Sequence, residues 1–279
     1  MREFHIPFSD NVIIRRDKDL MKLPSYKFMF VLGMLDVTQC FPHFVTGLMT
    51  IFQTNWITWL PQVLGVIATP CYVGYTIMTL ILALNRFLQF SSSSIASNLY
   101  KPKTLKYWYI FAASIWIFFM ATLVSPWAAI EYIPSRKGGV RCLTAYSWSY
   151  NYNLPYSELV QHVEMIIELG TIIISAFFYI LTIAYHKQNL RKLNPHDRRV
   201  ETKILQQVIV ITLYCTILNF FWHNSYLLPA SLWTDTALNL MWILNSGVYP
   251  IIYIIVNRAI KESFLGERSN ASRTAVATF

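Results

Sequence analysis

Five of the ionisable side chains inside or at the end of long apolar stretches, where charged groups are rare, are candidates for function. A charge at the centre of a membrane-spanning helix costs about 2.5–3.5 kcal/mol, so such residues face the protein interior or a polar cavity and often serve function. Carboxylates and imidazoles at such depth can bind a ligand, carry protons or couple helices. The five residues are Asp36, Arg86, Glu164, Glu168 and His223.

The spacing of the two glutamates predicts a ligand pocket. Glu164 and Glu168 are four residues apart and share one face of a helix, near its outer end. Trp222 and His223 stand at a similar depth on another apolar stretch, so the four residues can line a cavity open to the outside. Two alternatives remain: Glu164 lies at the wet interface, and His223 is a hydrogen-bonded packing residue.

Arginine 86 ends an apolar stretch and is followed by the serine cluster Ser91 to Ser94. At this place the arginine stem can lie along apolar surface while the guanidinium reaches polar partners. We therefore expect Arg86 to close the inner end of a central helix. The plainer alternative is an interfacial anchor.

Enzyme motifs are missing from the sequence. There is no His-Glu-x-x-His, no Cys-x-x-Cys and no Gly-x-Ser-x-Gly. We expect no enzyme activity, no catalytic residue, no cofactor and no metal site. The aromatic residues, 16% of the chain, are expected to face lipid, the interface or the core.

The composition is that of an integral membrane protein. Of the 279 residues, 55% are hydrophobic and only 13% are charged, whereas a soluble domain is about 45–50% apolar and about 25% charged. The net charge of +9 comes from short basic segments between apolar blocks. Such clusters mark the cytoplasmic side of a membrane protein, so we expect a lipid bilayer and no nucleic acid as partner.

Six apolar stretches have the length of a membrane span, for which about 20 residues suffice. The six predicted spans are residues 28–52, 60–87, 107–130, 159–185, 204–228 and 236–256. The predicted organisation is a basic cytoplasmic segment over residues 1–27, a six-helix transmembrane domain over 28–256, a membrane-surface helix over 257–265 and a cytoplasmic tail over 266–279.

The distribution of basic residues predicts the orientation. Twenty of the 23 lysines and arginines lie on the side of the membrane that holds both termini, and three lie on the other side. The positive-inside rule therefore places both termini in the cytoplasm. An even number of spans agrees with this arrangement.

Several short motifs occur between Ser25 and Leu265, and their order and spacing together are fairly specific. Together they resemble a seven-helix receptor of the rhodopsin-like superfamily and, more narrowly, the nematode serpentine chemoreceptors of class T (Srt). The motifs are the opening Tyr26 to Asp36, Leu84-Asn85-Arg86-Phe87, Trp116, Phe221-Trp222 and Tyr249-Pro250-Ile-Ile-Tyr253.

The resemblance implies an all-α membrane bundle in which the six spans correspond to helices two to seven of the family. We expect the family's first helix to be absent and folding or surface delivery to be impaired as a result. The family also links its third helix to the second outer loop by a disulfide. Cys142 matches the loop partner, but the helix end reads Trp59-Leu60-Pro61, so we expect Cys142 to be unpaired.

The resemblance further implies roles for individual residues. Arg86 would contact a G protein or hold the inactive state, although Asn85 stands where related receptors carry an acid. Asp36 would be a polar switch site, with Asn245 as a plausible partner and a sodium ion as a further option; alternatively, it is a packing residue. The motif residues expected to take part in switching are Trp222, Tyr249, Pro250 and Tyr253.

The leading hypothesis is a plasma-membrane chemoreceptor that binds a small molecule and signals through a heterotrimeric G protein. One alternative is a transporter or proton-coupled carrier that uses Asp36, Glu164 and Glu168, against which stands the lack of inverted repeats. Another is a non-signalling protein that pairs with full-length receptors in an oligomer.

Overall fold

A computed structural model describes residues 24–52, 54–133, 147–189, 212–224, 227–229 and 231–256. These ranges contain seven helices and one two-stranded sheet. In chain order the elements are α1 (Pro24–Phe52), α2 (Leu60–Ser91), α3 (Ser93–Leu99), α4 (Pro102–Val124), β1 (Ile130–Ile133), β2 (Ser147–Tyr150), α5 (Ser157–Asn189), α6 (212–223) and α7 (Leu232–Val256).

Four of the described helices are long and apolar enough to cross a membrane. Their membrane-length segments are Pro24–Phe52, Leu60–Gln89, Pro102–Val124 and Ser157–Tyr185. They match the first four predicted spans. The fifth span, predicted at residues 204–228, is described only in part, and the sixth corresponds to α7.

The third span differs most from its predicted bounds. It was predicted to run from residue 107 to residue 130, but the helix begins at Pro102 and ends at Val124. Proline suits the first turn of a helix because its missing N–H would be unsatisfied there. At the other end, Pro126 cannot continue the helix, and the backbone N–H of Ser125 closes it on Ala121 and Thr122.

The second helix, α2, is the centre of the bundle. It contacts α1, α4, α5 and β1, and 78% of its most apolar stretch of 18 residues is buried, against 17% for that of α4. An apolar helix that is covered on nearly all sides belongs to the core. Residues on α2 can therefore communicate with most of the other elements.

The connection between α4 and α5 contains a β-hairpin, which we name the lid hairpin. Strands β1 and β2 are antiparallel, with Ile130 opposite Tyr150 and Tyr132 opposite Trp148. All four side chains are buried. Ile130, predicted as the last residue of the third span, is therefore the first residue of a strand instead. The aromatic residues at every second position, Trp148 and Tyr150 among them, are typical of a strand with one buried face.

Glycine 65 lets the lid hairpin lie directly against α2. A Cβ atom at this position would stand 2.6 Å from both the Cγ2 atom and the carbonyl oxygen of Ile130. Such distances are too short for any side chain. The absence of a side chain at position 65 is thus a condition for the close approach of β1.

Candidate functional site

The lid hairpin covers the first acidic residue of α5. The Tyr150 hydroxyl donates a hydrogen bond of 2.5 Å to Glu164 Oε2, and Glu164 is only 5% exposed. The alternative that Glu164 lies at a wet interface is therefore wrong. Burial raises the pKa of Tyr150 well above its usual value, and the neighbouring Glu164 raises it further. Tyr150 thus keeps its proton and acts as a donor.

The second acidic residue joins α5 to α6. His223 Nε2 and Glu168 Oε2 are 2.9 Å apart, and both side chains are 1% exposed. The carboxyl groups of Glu164 and Glu168 also interact with each other. We name Tyr150, Glu164, Glu168 and His223 the acidic cluster. The structure therefore brings together three of the four predicted pocket residues.

Five ring-bearing side chains pack beside the acidic cluster, and we name them the Trp242 cluster. Trp242 is its centre: its ring lies 5.0 Å from His43 and from Trp222, and 6.0 Å from Trp148 and from Tyr72. The contacts join α1, α2, α6, α7 and the lid hairpin. Trp222, the fourth predicted pocket residue, belongs to this neighbouring group.

Tyrosine 72 connects the two clusters. Asn219 Nδ2 donates a hydrogen bond of 2.7 Å to its hydroxyl. Tyr72 also interacts electrostatically with Glu168 and Glu164. The aromatic and acidic groups therefore form one continuous buried region near the lid hairpin, in one half of the bundle.

Further along the bundle, α1 and α7 contribute buried polar groups. Asp36 is 2% exposed, and no described residue gives its Oδ1 atom a hydrogen bond. Asn245 accepts a hydrogen bond from the Cys215 thiol at 3.3 Å. No hydrogen bond joins Asp36 to Asn245 among the described residues, so the predicted direct pairing of the two is not formed.

The opposite end of α2 carries the predicted coupling residues. Asn85 is fully buried, and Ser25 donates a hydrogen bond of 2.8 Å to its Oδ1 atom. Asn85 thereby ties α2 to the start of α1. A buried hydrogen bond of this kind contributes about 1 kcal/mol to stability.

Arginine 86 is half-buried beside α5. Its charge acts on Tyr179, and the neighbouring rings of Phe87 and Phe178 lie 5.6 Å apart. Among the described residues no carboxylate forms an ion pair with Arg86.

Several predictions concern residues outside the described set. The α7 backbone is helical through Tyr249, Pro250 and Tyr253, but their side chains are not among those described. Three further predictions lie wholly outside the described residues: those on Cys142, on residues 1–23 of the basic segment predicted over residues 1–27, and on the surface helix predicted over residues 257–265.

Sequence reasoning missed most of the groups that surround the two glutamates. The missed residues are Tyr72, Trp148, Tyr150, Asn219 and Trp242. The alternating aromatic pattern before α5 was an available signal for Trp148 and Tyr150. Tyr72, Asn219 and Trp242 lie in apolar stretches and carry no local signal of their position.

The long apolar helices define a multi-pass membrane protein, and its central helix links a buried acidic cluster to an arginine at the other end. Residues 6–272 match the family described as serpentine type 7TM GPCR chemoreceptor Srt. The match covers more than half of the chain, which therefore belongs to the Srt family. No curated protein is similar to the chain at a significant level.

Membership confirms the predicted family and the all-α membrane fold. The family is a receptor family rather than an enzyme family. The match begins at residue 6, well before the first motif at Tyr26. It thus includes part of the basic segment that precedes α1.

Proposed function

We propose that this protein binds a small-molecule cue beneath the lid hairpin and signals through a heterotrimeric G protein at the end that carries Arg86. The observation that carries this proposal is the position of α2. This buried helix contributes Tyr72 beside the acidic cluster and Arg86 at its other end. One rigid element therefore contacts both functional regions.

The acidic cluster supports the ligand-binding half of the proposal. Its side chains come from α5, α6 and the lid hairpin, so a ligand placed there touches three elements at once. Ligand pockets combine a mostly apolar wall with a few placed polar groups. The Trp242 cluster supplies such a wall, and Glu164, Glu168 and His223 supply the polar groups.

The link between α5 and α6 supports the coupling half. A ligand shifts a conformational equilibrium only if it interacts differently with the two states. The structure contains the contact between Glu168 and His223. A ligand that binds one of these two side chains favours a conformation in which the contact is broken. We infer that the α6 helix then moves and opens a crevice beside Arg86.

Two variants test signalling. Arg86→Ala should abolish the evoked G-protein response while ligand binding is kept, because Arg86 lies far from the acidic cluster. Asp36→Asn should change the ratio of basal to evoked signalling, since it replaces a buried carboxyl group that α1 presents to Cys71 of α2. Basal and evoked signalling of both variants are measured with a G-protein activation sensor in cells and are divided by the amount of receptor at the cell surface.

Lysine 103 offers a matched control for Arg86. It is an exposed cation near the start of α4, and Lys103→Ala should signal normally. Unchanged signalling by Arg86→Ala would contradict its coupling role, and an unchanged basal level in Asp36→Asn would return Asp36 to a packing role.

We propose that the protein resides in the plasma membrane with both termini in the cytoplasm. The support is the excess of lysine and arginine on that side of the sequence. Epitope tags at each terminus should react with antibody only after the cells are permeabilised. A tag at the amino terminus that reacts in intact cells would show that the predicted number of spans is wrong.

A further inference from the structure

We infer that the ligand carries a protonated amine and that its ammonium group binds Glu168, with Glu164 beside it. This inference rests on the proposed receptor function and adds the chemical class of the ligand. It starts from the charges, hydrogen bonds and rings that the structure places together under the lid hairpin.

The balance of charges in the acidic cluster favours a cation. It contains two carboxyl groups, Glu164 and Glu168, against one imidazole, His223. The other basic group that acts on His223 is His162, which is exposed. No lysine or arginine of the described residues forms an ion pair here. A charge buried without a counter-ion is costly. A ligand ammonium can pair here with a carboxylate, whereas a ligand carboxylate meets no lysine or arginine of the described residues.

One oxygen atom of the acidic cluster can accept an additional hydrogen bond. Glu168 is 1% exposed, yet its Oε1 atom has no hydrogen-bond partner among the described residues. The neighbouring Glu164 can offer it at most a proton shared between the two carboxyl groups. An ammonium group has three N–H donors and no acceptor. It can therefore donate to oxygen atoms of both glutamates, whereas a ligand carboxylate has no donor to offer to the Oε1 atom of Glu168.

The Trp242 cluster suits the same chemical class. An ammonium is attracted to the face of an aromatic ring within about 6 Å, most strongly by tryptophan. Tyr72 interacts with both glutamates and stands 6.0 Å from Trp242. The charged end of an aralkyl amine can thus lie at the glutamates while its hydrocarbon part packs on the rings.

Binding of an amine also acts on the contact between α5 and α6. The ammonium competes with His223 for Glu168, because both use the same carboxyl group. When the ammonium displaces the His223 side chain from Glu168, the 2.9 Å contact that joins the two helices is lost. The ligand charge is thereby connected to the helix movement on which the proposed signalling depends.

The test uses sets of three compounds that share one carbon skeleton and end in a primary amine, an alcohol or a carboxylate. One set is 2-phenylethylamine, 2-phenylethanol and phenylacetate; shorter and longer skeletons extend the panel. The readout is G-protein activation in cells that express the full chain. We expect the amines to activate and the matched alcohols and acids to be at least about 30-fold weaker, as for loss of a buried charge pair.

The variant Glu168→Gln keeps the size of the side chain and removes its charge. We expect it to raise the half-maximal amine concentration at least about 30-fold, while Glu158→Gln, an exposed carboxyl on the first turn of α5, has no effect. If Glu168→Gln does not reach the surface, Glu164→Gln is measured in its place and should weaken the amine response in the same direction.

The outcomes separate the ligand class from the receptor function. Activation by alcohols or acids with equal potency, or an amine response that Glu168→Gln and Glu164→Gln leave unchanged, overturns the amine assignment and keeps the receptor function. If no compound of the panel activates the protein but basal signalling still depends on Arg86, the amine assignment is overturned and the receptor function is kept. Silence with no Arg86-dependent basal signal contradicts both.

Discussion

Replacing His223 by alanine is expected to lower the free energy of unfolding by about 1–3 kcal/mol. The substitution removes the imidazole that lies 2.9 Å from Glu168 Oε2 and leaves the carboxyl group of Glu168 buried. The main part of the loss is the cost of a buried polar group that has lost its hydrogen-bond partner. The measurement is thermal unfolding of the purified protein in detergent micelles.

Threonine 216 provides a control on the same helix. Its side chain is exposed and bonds only to the Thr212 carbonyl of its own helix, so Thr216→Ala should change stability by no more than about 0.5 kcal/mol. Adding Glu168→Leu to His223→Ala should restore part of the lost stability, because it removes the buried polar group that has lost its partner. Equal unfolding temperatures for His223→Ala and Thr216→Ala would show that the Glu168–His223 contact does not hold α5 and α6 together.

The substitution Gly65→Ala is expected to destabilise the protein by about 1–3 kcal/mol. The new Cβ atom would stand 2.6 Å from the Cγ2 atom and the carbonyl oxygen of Ile130. The backbone of β1 cannot yield as a flexible side chain can, so the lid hairpin must move away from α2. Thermal unfolding of the purified protein measures the loss.

Glycine 170 is the matched control for Gly65. It also lies inside a membrane-length helix, but no atom stands within 4 Å of a Cβ built there. Gly170→Ala should keep or raise stability, since alanine favours a helix by about 1 kcal/mol over glycine. If Gly65→Ala were as stable as Gly170→Ala, the close packing of the lid hairpin on α2 would be refuted.

The two predictions concern opposite sides of one buried region. The lid hairpin holds Glu164 through Tyr150, and α6 holds Glu168 through His223. The same contacts that stabilise the fold therefore occupy the groups that we propose for ligand binding. A ligand must compete with these contacts. Its affinity should therefore rise when the contacts of Tyr150 and His223 with the glutamates are weakened.

The sequence alone determined the class of protein and the main helices. Apolar stretches of this length with few charges predict membrane-spanning helices. In lipid the backbone N–H and C=O groups must bond within the protein, and a helix provides all of these hydrogen bonds itself. The four-residue spacing of Glu164 and Glu168 likewise placed them on one helix face. These properties are local: they depend on residues that are neighbours along the chain.

The tertiary structure decided which groups these residues meet. Glu164 could not be assigned to the interior until the lid hairpin was seen to cover it, and Asn85 turned out to bond Ser25, sixty positions away. Asp36 and Asn245 lie on helices that touch, yet Asn245 bonds Cys215 instead. Such pairings depend on how each helix is rotated about its axis and on how a connection folds back, and neither is encoded in the spacing of a single stretch.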